Sequence, residues 1–436
     1  MQALLEEAGW SGSQLAGSIR SVAAERGEIV TCDRSTVSRW LAGVTPRPPA
    51  PSLLVEALSR RLGRPVSAVE AGLSLAPYRV LDLEPEADAV RKLSALTRID
   101  LDPHRRSLLT TQPFSLGALA WAGASETSFL SMYVAPPSPA NRAGQSAVEE
   151  MQAMVSNLFG ITQLRGGDHV RTVLATYIGQ NVLHHLNNPA PTAVHANLLS
   201  QAARLTLLLG NSCVSAGFDA LAQRYHHAAL QLATEASDAD TLAIALRTMS
   251  THAHSLGHQV PAVRHLAEQA VEVARHAPFA VRAYSYAQLA VVRAKDDRRA
   301  AVLALTEAEK SYERADTTPG PFTHYPPGAL YYQRAQVLAS MRDLPGAVNA
   351  LTASLRLRAP SEHQVRALTR SRLAELLLAQ GSLDAALSHW HVVLDDYPAL
   401  RSHQIARRLV VMQQRLRPHR LYPPVATLLA RAAGRP

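Results

Sequence analysis

Apolar residues recur at three- and four-residue spacing along most of the chain, in long segments rich in Ala, Leu and Arg. This spacing puts the apolar side chains on one face of a helix. Runs that alternate Val, Ile or Thr with polar residues, as in a half-buried strand, are almost absent. We therefore predict an all-α protein.

Gly and Pro divide the 436 residues into three parts. Residues 1–76 hold short helices between Gly and Pro, and residues 77–144 are mixed and end in Pro136-Pro137-Ser138-Pro139. From 145 to 436 helical segments follow at regular intervals. We predict a small amino-terminal domain, a helical linker and a carboxy-terminal helical array.

The last part repeats itself, most clearly from Ala367 to Leu400. Ala374 supplies a small side chain where two helices touch, Gly381 a turn, Ala386 the start of a second helix and Pro398 its end. Antiparallel helices approach closely only where side chains are small, and each pair needs the next to cover its apolar face. This unit resembles the tetratricopeptide repeat, which implies an α-solenoid.

Similar phasing places further repeats upstream, about 40 residues apart. Their marker residues are Tyr331, Ala335, Leu338 and Ala347; Leu246, Ser250, Gly257 and Ala262; and Gly210, Gly217 and Ala222. A degenerate unit lies around Tyr284 to Ala301.

In the amino-terminal part the pattern predicts five short helices. They span Leu4–Ala8, Ser13–Ala24, Arg34–Leu41, Ser52–Leu62 and Ser67–Ala71. In the second, a polar cap precedes Leu15, Ala16 and Ile19, whose spacing turns them inward.

The third predicted helix carries the functional argument. Asp33 can cap it, Val37, Trp40 and Leu41 are expected to face the core, and Gly43 ends it. The residues left outward are Arg34, Ser35, Ser38 and Arg39. Arginines that pair with guanine edges, beside small hydroxyls that let the backbone approach, are what a major-groove helix needs.

This segment resembles a phage-repressor-type (XRE) helix-turn-helix, in the form found at the front of actinobacterial transcriptional regulators. The matching residues are Gly9-Trp10, Gln14-Leu15-Ala16, Ser35-Thr36-Val37-Ser38-Arg39-Trp40-Leu41-Ala42-Gly43, Pro46-Arg47-Pro48-Pro49 and Ala57-Leu58-Ser59-Arg60-Arg61-Leu62-Gly63. The resemblance implies base contacts by Arg34, Ser35, Ser38 and Arg39, with Ser13, Gln14 and Arg47 near phosphates. The sequence departs from the family's short form in the long segment from Ala24 to Asp33, and in Gly12, where a glutamine is common.

Composition adds little to this assignment. The formal charge is +9, but only three of the 44 basic residues are lysines, a skew typical of GC-rich coding rather than of a nucleic-acid surface. Residues 10–64 hold eight arginines and four acids. The placement of the arginines, not their number, has to identify a DNA-binding face.

Other chemistry is not indicated. The sequence has no phosphate-binding glycine loop, no Gly-x-Ser-x-Gly elbow and no His-Glu-x-x-His, so we expect neither an enzyme nor a cofactor. His254 and His258, with His252 and His265 nearby, raise the question of a metal site. Because no cysteine or carboxylate completes the set, we predict surface or groove histidines and no metal.

Cysteine usage and the amino terminus bear on the compartment. Cys32 and Cys213 are too few for a disulfide scaffold and indicate a reducing environment. Met1 to Gly9 lacks the pattern of an export signal. We expect a cytoplasmic protein without a membrane partner.

The repeat array is the place for a second binding function. The first helix of each tetratricopeptide unit lines a concave groove, where amide and guanidinium groups can bond an extended peptide. The phasing directs eight residues there: Arg204, Asn211, Arg247, Thr251, His254, Tyr332, Gln336 and Glu375.

A helix-turn-helix followed by tetratricopeptide repeats is the layout of peptide-responsive regulators in bacterial quorum sensing and of actinobacterial regulators of differentiation. The resemblance implies a homodimeric regulator that binds double-stranded DNA, with a repeat domain that senses a peptide, small ligand or protein. The alternative is a tetratricopeptide adaptor whose degenerate helix-turn-helix does not bind DNA.

Overall fold

The structure is a computed structural model, which describes residues 1–25, 28–73, 88–110, 112–124, 142–315, 325–400 and 402–433. Every regular element in these ranges is a helix, which confirms the predicted all-α class. The predicted linker Pro136-Pro137-Ser138-Pro139 lies outside the described residues.

Four helices form the amino-terminal domain around one apolar core, to which Leu15, Ile19, Val37 and Leu53 contribute. They are α1 (Gln2–Ala8), α2 (Gly12–Glu25), α3 (Arg34–Leu41) and α4 (Ala50–Leu62). Each overlaps one of the first four predicted helices. Helix α2 packs against both α3 and α4.

The fifth predicted helix, Ser67–Ala71, is wrong. Residues 68–72 form turns, in which the Leu73 amide donates to the Ala68 carbonyl at 2.8 Å. The Ser67 hydroxyl accepts from the Glu70 amide, and Gly72, at φ +74°, turns the chain out of helical geometry. The stretch between Pro65 and Gly72 is too short for more than one turn.

Among the residues described between α4 and the array, the helices are α5 (Ala89–Leu101), α6 (Pro103–Thr110) and α7 (Leu116–Ala124). Helix α7 contacts α4 of the amino-terminal domain on one side. On another side it packs against a helix of the array, Pro261–Val273. It therefore connects the two parts physically as well as along the chain.

The array begins with α8 (Arg142–Arg165) and continues through α9 (Asp168–Tyr177), one π-helical turn (Ile178–Val182) and α10 (Leu183–Asn187). Six helical hairpins follow. They are α11 (Thr192–Ala216) with α12 (Asp219–Glu235), α13 (Ala239–Ser255) with α14 (Pro261–Val273), α15 (Phe279–Arg293) with α16 (Arg298–Glu313), α17 (Pro327–Ser340) with α18 (Leu344–Leu357), α19 (His363–Ala379) with α20 (Leu383–Leu400), and α21 (His403–Leu416) with α22 (Pro423–Ala433).

Each predicted repeat corresponds to one of these hairpins, which confirms the repeat prediction. Pro398, predicted to end the second helix of the clearest unit, lies inside α20, which continues beyond it. In the unit read most clearly, Gly381 makes the turn between α19 and α20 at φ +83°, and Ala374 and Ala386 are fully buried between the helices. The turn between α17 and α18 reaches a positive φ without glycine, at Arg342.

The two ends of the array touch. Helix α21 packs on α11, and α19 packs on α8. The Gln364 amide nitrogen lies 3.3 Å from the Ser215 hydroxyl, Arg407 pairs with Asp219 at 3.4 Å, and His403 covers Gly217. The hairpins therefore complete one closed turn.

No helix in the described ranges combines the length and the apolar character that a membrane span needs.

Candidate DNA-binding face and ligand groove

The start of α3 is fixed by Asp33. One of its carboxylate oxygens accepts the Thr36 amide at 2.7 Å and the hydroxyls of Ser35 and Thr36 at 2.8 and 2.7 Å. These hydrogen bonds, chiefly those from Thr36, lower the pKa of the Asp33 carboxyl to about 2. The Asp33 carboxylate is thus hydrogen-bonded within its own helix, and these donors partly offset its negative charge.

The inner side of α3 rests on α2. Val37 is fully buried, and a Cβ built on Gly12 would lie 3.4 Å from its Cγ1 atom. This is an ordinary van der Waals distance, so the start of α2 packs next to Val37 but does not require glycine there. Trp40 is half-buried, but Leu41 is 37% exposed, so the prediction that Leu41 faces the core is wrong.

The outer side of α3 is open. Arg34, Ser35, Ser38 and Arg39 are all exposed, and Arg39 makes only a long contact, 3.5 Å, to the Thr36 hydroxyl. The structure thus brings the four predicted base-contacting residues together on one accessible helix surface. Ser13, Gln14 and Arg47, predicted near phosphates, are exposed as well.

Helix α2 begins with a capping box, in which the Ser11 amide donates to Gln14 Oε1 at 2.8 Å and the Gln14 amide to Ser11 Oγ at 3.3 Å. The side-chain nitrogen of Gln14 remains a donor. The start of a helix is also the end that favours negative charge. A phosphate is the chemistry that this end of α2 suits.

Arg20 of α2 makes a contact that the sequence did not single out. This exposed residue donates a partly buried hydrogen bond to the carbonyl of Cys32, which ties α2 to the segment before α3. Cys32 itself is buried in the domain core, and burial raises the pKa of its thiol.

The amino-terminal domain is joined to α7 through a buried carboxylate. Glu56 accepts the Leu116 amide, at the start of α7, at 2.8 Å and the Arg60 Nε–H at 2.6 Å. Burial raises the pKa of the Glu56 carboxyl, against the lowering effect of Arg60. Arg60 also holds Glu25 with two nitrogens, at 2.8 and 2.9 Å. This network reaches from α2 to the array side of the domain.

Close packing reinforces this joint. A Cβ on Gly117 would lie 2.5 Å from Ser59 Cβ and 2.7 Å from its carbonyl carbon, so α4 and α7 meet backbone to backbone. On the far side, the Gln223 side chain accepts from the Ser115 amide at 2.7 Å and donates to the Ser115 carbonyl. His227 Nε2 lies 3.1 Å from the Ala118 carbonyl.

The predicted groove residues do not form one cluster. Arg204 bonds Thr241 at 3.1 Å and pairs with Asp238 at 3.4 Å, across α11 and α13. Asn211 lies 3.2 Å from a ring nitrogen of His226. Glu375 is buried between Arg372 and Arg408, at 2.7 and 3.2 Å. These three polar groups join helices to one another.

Three of the other predicted groove residues have fewer polar contacts with neighbouring helices, and Arg247 contacts an aromatic ring. The Arg247 guanidinium lies 3.5 Å from the centre of the Tyr284 ring, and its buried Nε–H has no hydrogen-bond partner among the described residues. Thr251 donates to the Arg247 carbonyl. Tyr332 and Gln336 are half-buried on α17.

His254 lines a cavity of about 490 Å³ between the turns of three consecutive hairpins. Arg264, Lys295 and Arg342 also line it, with Asp296 as the acidic member. Burial lowers the pKa of the His254 imidazole. The sequence did not single out the three basic residues, although Lys295 and Arg342 occupy equivalent turns of successive repeats, and extending the repeat phase into the turns would have found them.

The histidines near this cavity make other contacts. His252 Nε2 lies 2.9 Å from Asp219, and Phe114 packs edge-on to His252 and stacks on His258. Over the part of the chain that the structure describes, no group of three or more His, Cys, Asp or Glu has the arrangement of a metal site.

Comparisons with known proteins extend this description only a little. Residues 1–74 match the sequence model of a family described as the SP15 N-terminal domain. No curated protein sequence matches the chain. The crystal structure of a Rap protein complexed with competence and sporulation factor aligns over 94% of this chain and 100% of its own, with 10% identity and a TM-score of 0.37.

Proposed function

We propose that this protein is a transcriptional regulator of the XRE type, in which α3 binds the major groove of double-stranded DNA and the repeat array takes a regulatory ligand. The observation that carries the proposal is the outer surface of α3, where Arg34, Ser35, Ser38 and Arg39 are exposed together. Two arginines can pair with guanine edges, and two serines keep the backbone close to the bases.

The surroundings of α3 suit a duplex. Helix α2 packs on α3, and Ser13 and Gln14 are exposed at the start of α2. Arg47 follows α3 along the chain and is exposed as well. Such groups would hold phosphates and fix the orientation of the helix. Because one domain of this size makes few phosphate contacts, we infer that a homodimer binds two half-sites and so gains the affinity that one copy lacks.

The ligand proposed for the array is a peptide or small molecule with an acidic group. The 490 Å³ cavity falls in the size range of small-ligand sites, and three of its lining side chains are basic against one acidic. The exposed turns that frame it would leave the rest of an extended peptide free to follow the groove.

A physical connection runs from this cavity to the amino-terminal domain that carries α3. Val263 and Arg264 of the cavity lie on α14, α14 packs on α7, and α7 carries the Glu56 joint of the amino-terminal domain. A ligand that prefers one arrangement of α14 would therefore change the angle between the two DNA-binding domains of a dimer. This coupling is the regulatory part of the proposal.

Selection of duplex DNA from a random pool tests the proposal. We expect the full chain to enrich one sequence, a variant with Arg34→Ala and Arg39→Ala to enrich none, and a variant with Arg91→Ala and Arg98→Ala to enrich the same sequence as the parent. Arg91 and Arg98 are exposed on α5, so this control loses the same charge away from α3. Failure of the parent to enrich any sequence, with capture of a protein partner instead, would favour the adaptor.

A further inference from the structure

A second cavity, of about 450 Å³, lies away from the three turns that frame the first one. It is formed where α18, the loop after it, α19 and α20 meet. The polar and charged residues of its lining are Thr352, Arg356, Arg358, Arg366, Arg370 and His389.

The lining of this cavity carries an unbalanced charge. Four of its nine residues are arginines, and none is an aspartate or glutamate. The nearest acids stand outside the lining: Glu362 pairs with Arg358 at 3.4 Å, and the attraction of Asp396 only partly offsets the burial of Arg370. Like charges held this close are unfavourable unless an anion joins them.

One of the arginines, Arg358, is buried and has a nitrogen without a hydrogen-bond partner among the described residues. Arg358 is 8% exposed, and the nitrogen is its Nε. Burial lowers the pKa of Arg358, although Glu362 opposes that effect. The Nε atom lies near Gly328 at the start of α17, so Arg358 is packed there through its stem and Nε. An arginine guanidinium presents five donors in a rigid fork, and only the terminal N–H groups of Arg358 are offered to the cavity.

The other arginines are held in position. Arg366 donates to the carbonyls of Leu355 and Arg358 at 3.0 and 3.1 Å, which fixes the end of α18 and the loop that carries Arg358. Arg370 follows one turn later on α19, and burial and the charge of Arg366 lower its pKa. His389 faces Arg370 from α20, where burial and Arg370 lower the pKa of the imidazole.

We propose that this arginine cavity is a binding site for a small phosphate-bearing molecule. A phosphate group is compact, doubly charged and rich in acceptors, and arginine forks bind it with paired hydrogen bonds. Arg358 forms the buried floor, Arg366 and Arg370 the walls, and the exposed Arg356 and Pro360 the rim, where the remainder of the ligand projects into solvent. The site is independent of the DNA face and of the groove ligand.

Calorimetric titration of the full chain with pyrophosphate, in a chloride buffer, tests the site. Arg370→Gln removes one wall of the cavity at a half-buried position. We expect at least tenfold weaker pyrophosphate binding, since a hydrogen bond to a charged group is lost. Arg334→Gln, on the neighbouring α17 and outside the cavity, loses the same charge and should bind as the parent does.

Three further comparisons sharpen the result. The variant with Arg34→Ala and Arg39→Ala should bind pyrophosphate like the parent, because the DNA face is a different site. Arg370→Lys, which keeps the charge without the fork, should fall between the parent and Arg370→Gln. Tighter binding of adenosine monophosphate than of inorganic phosphate would assign the site to organic phosphates, and the reverse order to free phosphate.

The proposal is overturned if the parent does not bind pyrophosphate, or if Arg370→Gln, with an unchanged thermal unfolding curve, binds it as tightly as Arg334→Gln does.

Discussion

Helix α3 and the repeat helices both carry polar side chains that the sequence pattern singles out, but they use them in opposite ways. On α3 the two arginines and two serines of the outer surface are exposed. In the array, Arg204, Asn211 and Glu375 bond neighbouring helices. A helix at the edge of a small domain leaves its outer polar groups exposed, whereas a helix with neighbours on both sides uses them to bond those neighbours.

Among the single substitutions compared at neutral pH, the largest effect on stability is expected from a predicted groove residue that stabilises the array. Glu375→Ala leaves Arg372 and Arg408 without their shared carboxylate and should lower the free energy of unfolding by about 2–3 kcal/mol. The figure is below that of a fully buried pair because both arginines are about a third exposed. Denaturant titration measures it.

The control for this variant is Glu307→Ala, which removes an exposed carboxylate paired with Lys310. Its unfolding curve should match that of the parent. If Glu375→Ala were equally neutral and instead weakened ligand capture, Glu375 would be a groove residue as the sequence first indicated.

The joint between the two regions should be sensitive to acid through His227. Burial is the main cause that lowers the pKa of this imidazole to about 4, with Lys92 and Arg224 adding to the effect and the bond to the Ala118 carbonyl opposing it. The unfolded chain takes up the proton near pH 6.5 and the folded chain only near 4. Stability from this group is therefore complete above pH 6.5 and falls by about 3 kcal/mol as the pH drops through this window.

Measuring the free energy of unfolding from pH 7 to pH 4 checks this. His227→Gln keeps a side chain that can donate to Ala118, and its unfolding should take up about one proton fewer over the window. A parallel loss of stability in parent and variant would contradict the assignment to His227.

On the DNA-binding side, Arg39→Ala should reduce discrimination between the selected duplex and its variants by about 1–3 kcal/mol, since a base contact is lost. Because Arg39 is exposed, the free energy of unfolding should not change. Fluorescence anisotropy with labelled duplexes measures the first quantity and denaturant titration the second. Equal affinity for every duplex variant before and after the substitution would reject α3 as the reading helix.

The smallest effect compares two helical glycines. Gly117→Ala places a Cβ against the Ser59 backbone and should destabilise the chain by about 1–2 kcal/mol. A Cβ on Gly160 meets nothing within 4 Å, so Gly160→Ala should stabilise α8 by about 0.5–1 kcal/mol. The sign of the difference, read from two melting curves, tests whether α4 and α7 are packed as tightly as described.

Periodicity predicted most of the architecture because it reports contacts within a helix and between adjacent helices. The hairpins, the Gly381 turn and the buried Val37 follow from it. The exposure of Leu41 was missed because a residue at the last turn of a helix points past the core, although the 3.6 period places it inward. The predicted base contacts remain predictions.

The residues that line the two cavities are harder to predict from the sequence, because their position depends on how successive hairpins rotate. His254, Lys295 and Arg342 come together from three different turns, and only the path of the array puts them around one cavity. Arg358 and Arg370 likewise meet across a loop whose position Arg366 decides. The spacing of residues along one helix does not tell which residues of different helices and turns come together.

The contact between the first and last hairpins sets the size of the molecule. An open stack of repeats ends in polar caps and tolerates the gain or loss of a unit. Here Arg407 and His403 of the last hairpin bind the first hairpin, and Gln364 of the fifth hairpin joins them at Ser215. Closure of the array therefore constrains the number of hairpins. The loops and the residues that line the cavities can change without breaking this closure.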